Sequence, residues 1–151
     1  MYKIYTDGAC SKNGKQGAIG GWAYVILTPQ GNIKTNSGYE KNSTNQRMEL
    51  LAAIKACEHI SEIDPFCEVT IYTDSAYLSN CVVQNWWHTW ENNGWRNSKK
   101  EPVANAELWK RLIPFFERYK FVKVKGHSDN IYNQEADRLA VAARIEGDKS
   151  G

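Results

Sequence analysis

The sequence predicts an α/β fold, a mixed five-stranded sheet in which an antiparallel meander precedes parallel strands and helices cover the faces. Three observations carry this. The first forty residues hold three strand-like runs separated by glycine- and turn-rich segments. Beyond them helical and strand-like patterns alternate. The segment Tyr-Thr-Asp also occurs twice, in Tyr5-Thr6-Asp7-Gly8-Ala9 and in Tyr72-Thr73-Asp74-Ser75-Ala76, each time closing a strand-like run.

Taken in order, Tyr2 to Thr6 alternates and stops at Asp7-Gly8, and the glycine-rich stretch from Gly8 to Gly21 reads as a loop. Trp22 to Thr28 is a second strand. Pro29-Gln30-Gly31-Asn32 has tight-turn chemistry, so Ile33 to Glu40 returns antiparallel. Ser43, Thr44 and Asn45 offer N-caps, and Leu50, Ala53, Ile54, Cys57 and Ile60 share one helical face, which predicts a helix from about 45 to 61. Asp64-Pro65 ends it, and Glu68 to Thr73 is a fourth strand. Helix-to-strand return places that strand parallel to the first and beside it. Ser75 caps a short helix through Tyr77 and Leu78, and a second short helix follows around Val82 to Trp87. Trp86, Trp87, Trp90 and Trp95 then surround Asn92-Asn93-Gly94, which reads as an exposed turn, although Trp87 and Trp22 also suit a core. Glu107 to Phe116 is a helix that Pro114 kinks or shortens. Phe121 to Lys125 is a fifth strand, Gly126 to Asn130 a loop, and a last helix with Ala136, Leu139, Ala140 and Ala143 on one face frays into Glu146-Gly147-Asp148.

A chain of 151 residues can bury about 70% of the surface its unfolded form exposes, which suits one domain. We expect that domain to span residues 1–147, with 148–151 a short flexible tail. No stretch approaches the roughly 20 apolar residues of a membrane span and the first residues read as a strand, so a cytoplasmic, monomeric protein with no membrane partner is expected. Cys10, Cys57, Cys67 and Cys81 have no Cys-x-x-Cys spacing; free, mostly buried thiols fit better than zinc or disulfides. The net charge is only +2, but nine of the nineteen basic residues lie between Arg96 and Lys125 against three acids.

Singly, an aspartate before Gly or Ser at a strand end is most often a turn former or helix cap. Together they mean more. On neighbouring parallel strands Asp7 and Asp74 emerge at one sheet edge, where open α/β sheets place ligands. Adjacent carboxylates repel, and one holds a proton unless a cation neutralises them. Glu49 and Asp137, alone, pass as helix-surface acids. Each nevertheless neighbours the apolar stripe that docks its helix on the sheet, which lets both join the aspartates. A ligand set of oxygens without paired Cys or His favours a hard ion, magnesium or manganese, over zinc. Two such ions suit phosphodiester hydrolysis. His127, in a glycine-containing loop, is either a surface histidine or a proton relay beside that site. Trp86 and Trp90 next to Asn, Gly, Arg96, Lys99 and Lys100 match the stacking and phosphate charge that nucleic acid prefers.

Tyr5 to Ala9, Thr44-Asn45-Gln46-Arg47-Met48-Glu49-Leu50, Tyr72 to Ser75, Val124-Lys125-Gly126-His127 and Asn133-Gln134-Glu135-Ala136-Asp137 occur in this order. On these motifs the chain resembles bacterial-type ribonuclease H of type 1 along essentially its whole length. The resemblance implies a ribonuclease H-like fold and endonucleolytic cleavage of the RNA strand of an RNA–DNA hybrid, leaving 3′-hydroxyl and 5′-phosphate ends. It also implies two Mg2+ ions, with Mn2+ as a substitute. By position, Asp7 bridges the ions, Asp74 and Asp137 each help to hold one, and Glu49 contacts metal, water or a ribose 2′-hydroxyl. His127 assists proton transfer or product release. Asn13, Asn45 and Gln46 match residues that read the hybrid's minor groove, where 2′-hydroxyls mark the RNA strand. Thr44 and Asn105 match a pocket for a DNA-strand phosphate, and Trp86 the aromatic residue that packs on DNA sugars.

Two departures stand out. Where members with a basic protrusion carry several lysines or arginines, this chain reads Trp90-Glu91-Asn92-Asn93-Gly94-Trp95-Arg96, so hybrid affinity should rest more on Arg96, Lys99 and Lys100. Asp129 is an extra acid in the histidine loop, either a plain loop residue or one that orients His127 or recruits metal. A non-cutting hybrid-binding module is one rival expectation, but it leaves the four acids without a reason to coexist. The same fold used in transposition, resolution or a reverse transcriptase is the other, including a nuclease domain excised from a polyprotein. Against that rival stand Asn45-Gln46 and the expected absence of a flanking domain, which also argues against processive action.

Overall fold

The computed structural model describes residues 1–12, 15–125 and 130–149. Strands β1 (Tyr2–Cys10), β2 (Ile19–Leu27) and β3 (Ile33–Lys41) form the expected meander. Helix α1 (Asn45–Ile63) leads to β4 (Val69–Thr73), and helices α2 (Ala76–Gln84), α3 (Trp86–Asn92) and α4 (Ala106–Leu112) precede β5 (Lys120–Lys123) and α5 (Ile131–Lys149). The sheet order is β3-β2-β1-β4-β5, with β4 parallel to both β1 and β5. This is the predicted mixed five-stranded sheet.

Each element follows from local chemistry. The Thr44 side chain accepts from the Arg47 amide at 3.1 Å and caps α1, and that helix buries Met48, Leu50, Leu51, Ile54, Cys57 and Ile60. At its far end the Asp64 amide donates to the Ile60 carbonyl before Pro65 stops the chain. The face carrying Ile4, Tyr24, Ile71 and this helix merges with Leu78, Leu108, Trp109 and Leu112 into the main core. Helix α5 covers the opposite face, its Ala136 packing with Tyr5 and Val25. Burying one such Leu or Ile contributes about 1.5 to 3 kcal/mol. No helix among the described residues is long and apolar enough to cross a membrane.

Several expected boundaries move. β1 does not stop at Asp7-Gly8: it stays paired with β2 as far as Cys10 opposite Gly20. Of the glycines read as a loop, Gly8, Gly20 and Gly21 are strand residues, and Gly8 and Gly21 let helices approach closely, whereas Gly17 does turn, with φ 81°. A Cβ on Gly8 would lie 2.6 Å from the Glu49 amide nitrogen, and one on Gly21 would run into the Ala140 carbonyl. The tryptophan segment does turn in the open at Asn93-Gly94, but its rings are not exposed with it and pack against the core. After Asn85, whose left-handed backbone (φ 55°) closes α2, α3 lays its rings on the core. Trp90 lies 5.5 Å from the fully buried Trp109 and 5.8 Å from Trp95. α4 ends earlier than expected, and Pro114 enters a 3-10 turn at Ile113–Phe115, because proline cannot supply the next helical hydrogen bond. β5 begins and ends slightly before its expected limits, although the Val124 amide still donates to the Thr73 carbonyl at 2.8 Å. α5 does not fray at Glu146: Gly147 is buried against Tyr39 and Ile19, and the helix continues to Lys149.

All four cysteines are free, with Cys57 and Cys81 buried. Burial pushes the Cys81 thiol up to about 12, which makes it inert as a nucleophile.

Candidate active site

The parallel register sets Thr6 opposite Thr73. One step further along each strand, Asp7 and Asp74 stand together where β4 ends and β1 continues beside β2 alone. Asp74 is pinned by its neighbours: the Ser75 amide donates to Thr73 Oγ1 at 3.1 Å, and Ser75 Oγ accepts from the Leu78 amide at 3.1 Å as the cap of α2. Asp7 is buried, 6% exposed. Glu49, in the second turn of α1, reaches it over Gly8, whose amide donates to Asp7 Oδ1 at 2.9 Å and faces Glu49 Oε1 at 3.3 Å.

Carboxylate oxygens of Asp7, Glu49 and Asp74 lie within 4.8 Å of one another. Asp137, one turn after Asn133 on α5, joins Asp7 and Asp74 around a cavity of about 90 Å³ that Asn133 and Gln134 also line. The predicted four acids therefore meet at one place, three in a tight group and the fourth at the shared cavity. Asn133, buried at 6% exposure, and Gln134 were not expected as site residues. Their position four and three residues before Asp137 on a helix was the available signal.

The electrostatics are those of a site short of positive charge. Burial, then the neighbouring Asp74 charge and contact with Asp137, push the Asp7 carboxyl up to about 7 against the opposing hydrogen bonds from Glu49 and Gly8. Burial and the charges of Asp7 and Asp74 hold Glu49 well above the usual carboxylate range. Glu49 Oε2 is buried without a hydrogen-bond partner, and such an orphan oxygen is costly unless a proton or cation meets it. An all-oxygen donor set of this kind fits a hard divalent ion.

The other expected site residues divide into groups. Asn45 and Gln46 are exposed in the first turn of α1, and Thr44 caps it. Arg47 ties this helix start to that of α4, with Nε 2.8 Å from Glu40 Oε1 and Nη1 2.5 Å from Glu107 Oε1. The two residues expected to share a phosphate pocket, Thr44 and Asn105, thus precede helix starts linked by one guanidinium. Asn105 itself precedes α4 in left-handed backbone (φ 59°), and its amide reaches Tyr77 Oη at 3.5 Å. Trp86 is half-buried, its indole N–H donating to Gln84 Oε1 at 2.9 Å. Trp90 meets the rings of Trp86, Trp95 and Trp109, so it packs the segment whatever else it contacts. Arg96, Lys99 and Lys100 are exposed on a short loop closed by the Arg96 to Pro102 bridge. Asn13, His127 and Asp129 lie outside the described residues.

Comparison with known proteins agrees with this geometry. The RNase H family model matches residues 1–145. Ribonuclease H of Acetivibrio thermocellus is 49% identical over 140 residues, covering 91% of this chain and 90% of the relative. Ribonuclease H of Caldicellulosiruptor saccharolyticus is 47% identical over 139 residues, covering 91% of each. Among solved structures, a type 1 RNase H with the type 2 active-site motif superposes with a TM-score of 0.77 at 27% identity, over 96% of this chain and 72% of that one. With its order of motifs, its sheet and its converging acids, the chain belongs to the RNase H family.

Proposed function

We propose that this protein is an endonuclease that hydrolyses the RNA strand of RNA–DNA hybrids with two Mg2+ ions, leaving 3′-hydroxyl and 5′-phosphate ends. Mn2+ is the natural substitute, and residues 1–147 act as a single catalytic domain, monomeric and cytoplasmic. The observation that carries the proposal is the convergence of Asp7, Glu49 and Asp74 oxygens within 4.8 Å, with Asp137 at the same cavity, in a chain whose curated relatives are named ribonuclease H. The orphan Glu49 Oε2 and the raised Asp7 carboxyl support a cation as the missing partner.

In this reading Asp7, Asp74 and Asp137 would hold the ions, and Glu49 would face metal, water or a ribose 2′-hydroxyl. When bound, the ions supply activation of water and charge stabilisation of the leaving oxygen. The protein's own part is to hold four carboxylates in place. Asn13, Asn45 and Gln46 read 2′-hydroxyls, Thr44 and Asn105 seat a DNA-strand phosphate, and Trp86 and Trp90 meet deoxyriboses. Requirements on both strands at once give hybrid specificity. His127 assists proton transfer or product release. Incubation with labelled hybrid, duplex RNA and duplex DNA, with and without Mg2+, tests this. Cleavage confined to the hybrid's RNA strand and to the Mg2+ samples is expected, and cleavage of duplex DNA or metal-free cleavage overturns it.

With Glu91, Asn92 and Asn93 in the protruding segment, the exposed Arg96, Lys99 and Lys100 carry its phosphate contacts. Replacing all three with alanine is expected to make the log–log salt dependence of hybrid binding shallower by roughly 2 to 3. A slope unmoved by the triple change places the contacts elsewhere.

A further inference from the structure

Each strand aspartate has a tyrosine two residues before it, and the parallel register sets Tyr5 opposite Tyr72. Their rings stack with centroids 4.8 Å apart and planes 13° from parallel. Tyr132, in the first turn of α5, lies against Tyr5 at 5.5 Å. Asn130 stands immediately before this helix. Its Oδ1 accepts from the amides of Tyr132 at 2.9 Å and Asn133 at 3.0 Å, which makes it the side-chain cap of α5. Its Nδ2 meets the Tyr5 hydroxyl at 3.5 Å, so one side chain joins the start of α5 to β1.

Asn130, Asn133 and Asp137 fall at helical spacing on one face, and the last two line the cavity. Asp137 contacts Asp7, so the start of α5 must be held close to the sheet for the two acids to share the cavity. A first helical turn has unsatisfied amides and frays when its cap is removed. Something must therefore hold Asp137 in place. The stacked tyrosines on one side and the Asn130 cap on the other are the contacts placed to do so.

We propose that Asn130, together with the Tyr5, Tyr72 and Tyr132 platform, consists of positioning residues that fix the start of α5 and so hold Asp137 at the cavity before any cation arrives. This rests on Asp137 being a metal ligand. Apart from the acids they serve, these side chains need touch neither substrate nor metal. Their effect passes through Asp137.

The test compares Asn130→Ala and Asn130→Ser, each alone and with Asp137→Asn. Mn2+ binding to the free protein is measured by calorimetry, and kcat and KM on a labelled hybrid are measured separately. Asn130→Ala is expected to weaken Mn2+ binding about ten-fold, as loss of an outer-shell partner does, and to lower kcat by a similar factor with KM unchanged. Asn130→Ser retains a capping oxygen and is expected to restore both. In the Asp137→Asn background, Asn130→Ala is expected to add nothing, the signature of two residues acting through one another. Additive losses in the double variant, or wild-type Mn2+ binding in Asn130→Ala, overturn the positioning role while leaving Asp137 a ligand. Wild-type Mn2+ binding and turnover in Asp137→Asn alone overturn the ligand reading, and the positioning role falls with it.

Discussion

Replacing Asp74 with asparagine is expected to lower cleavage of the hybrid by about 10³-fold or more while leaving hybrid affinity within about three-fold. The substitution keeps side-chain volume and one oxygen but removes a full charge from a group whose oxygens lie within 4.8 Å. The surrounding structure should not move. Asp74 is bracketed by the Thr73 and Ser75 side-chain hydrogen bonds, and its strand is held in register by β1 on one side and β5 on the other. In the proposed reading, substrate binding rests on surfaces apart from the cavity, the start of α1 and the segment from Trp86 to Lys100. A loss confined to kcat, measured in single-turnover cleavage beside a filter-binding Kd, is therefore the expected pattern. Unchanged cleavage would remove Asp74 from the metal site, and an equal loss of binding would favour a role in holding substrate.

The site was legible in the sequence because its chemistry is written in residue types that have little other reason to recur. Tyr-Thr-Asp at two strand ends, a glutamate beside the apolar stripe of α1 and an aspartate beside that of α5 suffice to predict four converging acids, and the structure brings them together. The place of β4 beside β1 followed from the helix-to-strand return between Asn45 and Thr73. Glycine was misleading where its purpose was not a turn. Gly8 and Gly21 lie in strands because α1 and α5 press against the sheet there, a tertiary requirement that no local pattern reveals. The tryptophans misled for a related reason: polar neighbours suggest exposure, yet Trp90 packs on Trp109 nineteen residues away in sequence. Asn133 stands in one of the motifs but was not expected at the site, because a buried asparagine looks, in sequence, like any helix-surface amide. The twin tyrosines were visible from the outset, but that they stack and carry Tyr132 depends on the strand register.

In metal-free buffer, Asp7→Asn is expected to be more stable than the wild-type protein at pH 8 and equal to it at pH 4. The sign follows from proton linkage. An unfolded aspartate loses its proton near pH 4, whereas Asp7 in the folded chain keeps its proton until about 7. Between those values the folded state binds more protons than the unfolded one, so stability falls as pH rises. The contribution is fully present below pH 4 and is lost once pH passes 7. A gap of about three pH units at roughly 1.4 kcal/mol each sets an upper bound near 4 kcal/mol, and about 2 to 4 kcal/mol is expected. For a domain of this size that corresponds to roughly 5 to 12 °C in Tm. Asparagine cannot ionise, so the variant escapes the loss, and the Tm difference should open between pH 4 and 7 and then level off. Glu107, held below the usual range by its hydrogen bond to Arg47, acts in the opposite sense at acid pH. It is common to both proteins and cancels in the comparison. Millimolar Mg2+ should narrow the gap at pH 8 by stabilising the wild-type protein alone. Calorimetric scans from pH 4 to 8, with EDTA and then with Mg2+, decide the matter. A pH-independent offset, or an Asp7→Asn protein less stable at pH 8, would mean that the acids are already compensated without a cation.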